Sequence, residues 1–227
     1  MLVPSRKAVL ECLAHGLAVA LPTCVAVVLF NGTLFSWHPT LMSLGYLSFM
    51  VEGVLTAIKF RPREGSSRVR AIFAHIFWQI LAIICVAGGF LAIYENKVNL
   101  GKPHFRSYHA KVGLASLLGT AVAPLAGAVA FRRLGLLTKL PPSLHPRIKQ
   151  LHRSAGMVNL GMATVAVQLA LTHPAVRKPL WTPIWQMSVA LLGVCIFLRG
   201  LYEPVSKPVA QVLTFSESEL GQLDKQL

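Results

Sequence analysis

Residues 71–93 read AIFAHIFWQILAIICVAGGFLAI, an unbroken apolar run that holds no Asp, Glu, Lys or Arg and one histidine, His75, near its start. As a helix this stretch rises about 35 Å, enough to cross a hydrocarbon core of about 30 Å. A soluble core would show shorter runs broken by turns. Outward from it, comparable runs recur near 9–30, 38–58, 108–131, 150–171 and 182–199. The chain of 227 residues is 54% hydrophobic and only 13% charged, about half the charged fraction of an ordinary soluble domain. The pattern predicts an all-α integral membrane protein, a six-helix transmembrane bundle over 9–200. A short segment, 1–8, precedes it and a tail, 201–227, follows, polar in its last part, 216–227.

A net charge of +14 raises nucleic acid as a partner, but the basic residues sit between the apolar runs and form no basic helix or aromatic-studded sheet. Nucleic acid is therefore excluded, and the lipid bilayer is the expected partner. Of the 22 Lys and Arg, 16 fall in the N-terminal segment, the stretches 59–70 and 132–153, and the region from Arg199 on. The other 6, at 97–111 and 177–178, fall on the alternate side. By the positive-inside rule both termini face the cytosol. Arg6 and Lys7 before an apolar run resemble a signal peptide, but the run is long and lacks a clear cleavage site, so it reads as a retained first helix. Pro22 and Pro124 are expected to kink the first and fourth helices. Cys12, Cys24, Cys85 and Cys195 each lie in an apolar run without a CxxC pair and read as small core residues. Asn31-Gly32-Thr33 is a formal glycosylation sequon, set too close to the membrane to be modified.

Histidine inside a membrane span is costly and calls for a purpose. His38, His75, His109 and His152 lie in the first turns of helices two, three, four and five. Successive helices run in opposite directions, so His38 and His109 share one side and His75 and His152 the other. Two facing imidazoles are what a six-coordinate heme iron requires, and two pairs would hold two hemes with irons on the order of 20 Å apart. A flat macrocycle also needs small residues on the ligand's own face. Gly113 and Gly156 follow His109 and His152 by four residues, while Gly45 and Ala82 follow His38 and His75 by seven. Small residues equally serve bare helix packing in lipid. Without a CxxCH motif the cofactor reads as two non-covalent heme b groups held in a four-helix diheme core, helices two to five. The nearly equal intervals from His38 to His109 and from His75 to His152 suggest a parallel internal repeat.

Three segments then resemble the cytochrome b561 family, six-helix transmembrane electron carriers, and in particular its short single-domain members. They are Leu34-Phe35-Ser36-Trp37-His38-Pro39 with Leu41-Met42-Ser43-Leu44, His104-Phe105-Arg106-Ser107-Tyr108-His109 with Gly113-Leu114, and Lys149-Gln150-Leu151-His152 with Gly156. The resemblance implies that His75 and His152 bind the cytosolic heme and His38 and His109 the non-cytosolic one, the pairing that topology gives independently. It further implies an ascorbate-dependent oxidoreductase in which cytosolic ascorbate is oxidised and monodehydroascorbate or ferric iron is reduced on the far side. Ascorbate is an anion, so Arg68, Arg70, Arg147, Lys149 and Arg153 around the cytosolic pair are its candidate contacts; each reads equally as a topology-setting charge. His104, with Phe105 and Arg106, is the candidate contact for the exit substrate, against the reading of an ordinary loop histidine. Homodimerisation, and residence in an endomembrane (ER or vesicle) or the plasma membrane, belong to the same resemblance.

Glu52 is an acid inside helix two that could tune the cytosolic heme, relay a proton or pair with a basic residue. Gln79, Asn159 and Gln168 read as interhelical hydrogen-bonding groups, His15 as structural, and His145 and His173 as exposed loop residues. Two alternatives remain at this stage. One is a diheme membrane anchor that serves a quinone or partner subunit; the other is a heme-free, proton-coupled transporter.

Overall fold

A computed structural model describes residues 5–131, 134–177, 179 and 181–202. The tail expected over 201–227 lies outside the described residues from 203 on, as do Arg132, Arg133 and Lys178 from the charge pattern.

Among the described residues six long helices follow one another: α1 (Arg6–Leu29), α2 (Leu34–Lys59), α3 (Gly65–Asn99), α4 (Tyr108–Ala130), α5 (His145–Ala170) and α6 (Trp181–Tyr202). Lipid cannot hydrogen-bond a bare helix start, so the chain caps its own. Ser5, Thr33 and Ser107 each accept a bond from the backbone N–H three residues on, at 3.2 to 3.4 Å. At the other end of α3, Gly101 adopts φ +60. Its N–H and that of Lys102 donate to the carbonyls of Val98 and Lys97, at 3.0 and 2.9 Å, a Schellman stop that glycine makes possible.

Pro22 and Pro124 lie within α1 and α4, and both helices continue past them. The larger irregularity is in α2, where Leu44–Phe49 form a π-helical turn. Such a turn shifts the register of every later side chain.

Five helices, all but α5, are long and apolar enough to span a membrane. α5 begins at His145, ahead of the start expected from hydropathy, and its first half carries Arg147, Lys149, His152 and Arg153. Its apolar part is correspondingly short, and its 26 residues reach about 39 Å. The protein is a multi-pass, all-α membrane bundle.

α2 is the hub. Its Leu47, Met50, Val51, Leu55 and Ile58 meet Ala14 and Ala18 of α1, Ala82 and Val86 of α3, Leu160 and Ala163 of α5, and Val189 and Leu192 of α6 in one core. The outward stripes are large and apolar, such as Phe73, Phe77, Ile80 and Ile84 on α3, as a lipid-facing surface requires. α2 packs on α3 and α4 on α5, whereas α3 and α4 touch sparsely. The bundle is thus two hairpins, flanked by α1 and α6.

At the end that carries the termini, Arg199 of α6 is only 3% exposed and donates to Glu11 Oε1 of α1 through Nε and Nη2, at 3.0 and 2.7 Å. Lys59 Nζ lies 3.7 Å from Glu11 Oε2. Deeper in, His15 Nδ1 and Glu52 Oε1 stand 2.7 Å apart, joining α1 to α2; this gives Glu52 a partner, the histidine read from sequence as structural. Removing one member of a buried pair leaves an uncompensated charge, whereas removing both is far cheaper. Glu11→Leu is therefore expected to lower stability by about 3 kcal/mol in thermal melts of the detergent-solubilised protein, and adding Arg199→Met to restore most of it. Equal losses in the single and double variants would contradict this.

Candidate functional site

The four histidines of helices α2 to α5 face each other in two pairs at opposite depths. The ring centres of His38 and His109 are 6.0 Å apart, and those of His75 and His152 are 6.4 Å apart. A ligating imidazole nitrogen sits about 2 Å from its metal and the ring centre about 1 Å further, so two rings on one metal stand about 6 Å apart. Both pairs have that spacing.

Their orientation is set by the neighbouring helix. His38 Nδ1 donates to the carbonyl of Gly89 on α3 at 3.0 Å, His75 Nδ1 to that of Gly53 on α2 at 2.8 Å, and His109 Nδ1 to that of Ala166 on α5 at 2.8 Å. A carbonyl only accepts, so the proton is on Nδ1 and the lone pair of Nε2 is left for a metal. His152 makes no such bond among the described residues and is placed sterically. Its Cε1 would be 3.2 Å from a Cβ on Gly127 of α4, so glycine makes the room.

The small residues divide in two. A Cβ on Gly113 or Gly156, one turn past His109 and His152, would meet nothing within 4 Å, so open space lies beside these histidines. Gly45 is different: its Cβ would come 2.8 Å from Val86 Cγ2 and 3.1 Å from the Ala82 carbonyl. Gly45 and Ala82 therefore close the α2–α3 contact, the packing role that sequence had left as the alternative. Gly89 does the same, since its Cβ would crowd Leu41, Met42 and the His38 carbonyl at 3.2 to 3.3 Å.

Around the His75–His152 pair, Arg68 Nη1 donates to the carbonyls of Arg61 and Arg63, at 2.7 and 3.3 Å, and braces the turn before α3. Arg68 and Arg153, one on each hairpin, lie close enough to feel each other's charge. Arg70 and Arg147 are exposed and Lys149 is half-buried at the same end. At the other end His104 stacks on Tyr94 of α3, with ring centres 4.5 Å apart and planes 26° from parallel. Phe105 lies beside it at 5.9 Å with φ +54, a strained value for a side chain of that size. Arg106 is exposed.

Sequence reasoning missed Tyr94, which the turn after α3 folds back against His104, and the place of His173. That residue, though exposed, lies against Phe35, with ring centres 6.0 Å apart, and near His109. Gln79 and Gln168 do bridge helices, to the carbonyls of Met50 and Gln186, at 3.2 and 2.8 Å.

A helical membrane bundle with two facing imidazole pairs, one near each end, is the architecture of a membrane-embedded cytochrome. A family model described as eukaryotic cytochrome b561 matches residues 37–178, the interval that holds all four histidines. Transmembrane reductase CYB561D2 of Mus musculus is 32% identical over 168 residues, 70% of this chain and 70% of the relative. Its Homo sapiens counterpart is 30% identical over 181 residues, 78% of each chain. Probable transmembrane reductase CYB561D1 of Homo sapiens is 32% identical over 184 residues, 79% of this chain and 77% of the relative. The chain belongs to the eukaryotic cytochrome b561 family and is a transmembrane oxidoreductase. Membership implies heme b, and the donor set fits it: neutral imidazoles with free Nε2 atoms, paired at the right spacing, beside glycines that leave room for a flat ring.

Filling that room should displace the cofactor without disturbing the helices. Gly156→Leu is expected to fold with wild-type yield and lose heme, counted against protein by pyridine hemochrome. Gly45→Leu should instead lose stability and yield. Full heme content in Gly156→Leu would contradict the assignment of the open space.

Proposed function

We propose that the protein carries single electrons across the bilayer from cytosolic ascorbate to monodehydroascorbate or ferric iron on the opposite side. His75 and His152 would hold one heme b near the cytosolic face, and His38 and His109 a second near the other. The observation that carries this reading is the pair of ring spacings, 6.0 and 6.4 Å, at opposite ends of one bundle. Heme, when bound, supplies the one-electron chemistry.

The chain's part is ligation, orientation and electrostatics. The Nδ1 bonds to Gly89, Gly53 and Ala166 hold three imidazoles in the ligating tautomer. On the cytosolic side Arg68 and Arg153, with Arg70, Arg147 and Lys149 near them, offer positive charge to the ascorbate monoanion. Ascorbate leaves as monodehydroascorbate after giving up one electron and one proton. At the exit, the stacked Tyr94 and His104 with Phe105 and Arg106 form a rim that an acceptor would touch. There ferric iron gains one electron to become ferrous, or monodehydroascorbate gains one electron and one proton. Both termini face the cytosol in this orientation, in keeping with the excess of basic residues at that end. The apolar outer faces leave a homodimer in an endomembrane or plasma membrane compatible with the reading.

Proteoliposomes with an entrapped ferric chelate and ascorbate added outside test the direction and both ends at once. External ascorbate is expected to reduce the internal chelate only when the protein is present. Arg153→Gln should raise the KM for ascorbate roughly tenfold, and His104→Ala should slow chelate reduction while leaving ascorbate reduction of the heme unchanged. Reduction by a membrane quinol with ascorbate inert would overturn the proposal in favour of an anchor that serves a quinone.

A further inference from the structure

Between the two histidine pairs lies a set of buried polar side chains that ligation does not use. Their depth follows from the cross-helix contacts. On α5, His152 is level with one pair, and Ala166, which accepts from His109, with the other. The interval is about 21 Å of helix, and Asn159 stands at its centre. On α2 the interval from His38 to Gly53, which accepts from His75, is centred on Gly45 and Tyr46. Tyr46 lies in the π-helical turn, Leu44–Phe49. On α4, Ser116 and Thr120 lie between His109 and Gly127, the glycine against His152.

These groups are buried and joined. Ser116 is 0% exposed, Thr120 and Asn159 4%, and Tyr46 5%. Thr120 Oγ1 donates to the Ser116 carbonyl at 2.9 Å and accepts from Asn159 Nδ2 at 2.9 Å. Its proton is thus committed, so in its 3.2 Å contact with Tyr46 the phenol must be the donor. Three helices therefore meet at one hydroxyl. Yet Ser116 Oγ and Asn159 Oδ1 find no hydrogen-bond partner among the described residues. Gly119 admits the Asn159 carboxamide, since any Cβ there would collide with its Oδ1. Unsatisfied polar atoms are expensive where no water reaches, so their place at mid-depth calls for an explanation.

We propose that the Tyr46, Ser116, Thr120 and Asn159 cluster is a dielectric screen between the two redox centres. Resting on the two-heme reading above, the argument is that an electron at one centre repels an electron at the other through a low-dielectric interior. Dipoles midway between them weaken that repulsion only if they can turn. The Ser116 hydroxyl, with no partner, rotates about its Cβ–Oγ bond, and the Asn159 oxygen is an open acceptor to which a rearranged hydroxyl proton can go. Both centres can then be reduced at closely similar driving force, so that neither traps the electron in transit. These are positioning residues: among the described residues none of them hydrogen-bonds one of the four paired histidines.

The test is a potentiometric titration of the purified holoprotein, with heme counted per chain in every sample. The double variant Ser116→Ala/Thr120→Val keeps shape and removes both hydroxyls, and Tyr46→Phe removes the phenol donor alone. Halving the effective dielectric constant over roughly 20 Å raises the comproportionation constant about fourfold. The comproportionation constant of the double variant is therefore expected to rise by that factor as its two midpoint potentials move apart, those of Tyr46→Phe to move less in the same direction, and those of Thr120→Ser to stay as in the wild type. Two hemes per chain with an unchanged separation would overturn the screen and leave the two-heme reading standing. Loss of heme in Ser116→Ala/Thr120→Val and Tyr46→Phe alike would make the cluster structural and overturn the screen too. Fewer than two hemes in the wild type would overturn both, and the heme count tells these cases apart.

Discussion

The hydrogen bond from a histidine Nδ1 to a carbonyl of the adjacent helix is the contact on which the rest of the site depends. A carbonyl inside a helix already accepts from the residue one turn on, so a second donor must come from a side chain that reaches across. In His38, His75 and His109 that reach is 2.8 to 3.0 Å. It fixes the tautomer, aims Nε2 away from the helix that accepts, and ties each histidine to its hairpin partner. Within the first hairpin the arrangement is reciprocal: α2 gives His38 to Gly89 of α3, and α3 gives His75 to Gly53 of α2.

Such short reaches require the helices to approach closely, and the packing is built to allow it. Gly45 and Gly89 let α2 and α3 come together where a Cβ would collide at the first and crowd its neighbours at the second, and α2 carries the largest share of the buried apolar core. Between the hairpins the logic is reversed. α3 and α4 touch sparsely, and Gly113 and Gly156 face open space. A bundle tight within each hairpin and loose between them can hold flat cofactors without distorting its backbone. The ion pairs of α1 and α6 lie outside this arrangement and clamp the peripheral helices to the hub.

Much of this was legible in the sequence because the bilayer is a severe constraint. Twenty-odd apolar residues in a row have few alternatives to a spanning helix, and a histidine at the start of four consecutive spans sorts itself into pairs by alternation alone. What could not be read depends on rotation about helix axes. Gly45 and Gly113 look alike as small residues on a ligand's face, yet one closes a helix contact and the other opens a space. The π-helical turn in α2 has no clear compositional mark, although it decides where Tyr46 points. Glu11 and Arg199 are separated by most of the chain, and His15 and Glu52 by 37 residues, so their pairing emerges only from tertiary packing. The polar first half of α5 shortened its apparent span for the same reason: hydropathy measures composition, and α5 keeps its basic residues at the end of the bundle that holds the termini.

The central claim is that four histidines of one chain hold two hemes that ascorbate can reduce. The most direct measurement is the visible spectrum of the purified protein before and after ascorbate, with heme and polypeptide quantified on the same sample. The account predicts two hemes per chain and sharp reduced bands on adding ascorbate. A colourless protein after heme-supplemented expression would contradict it.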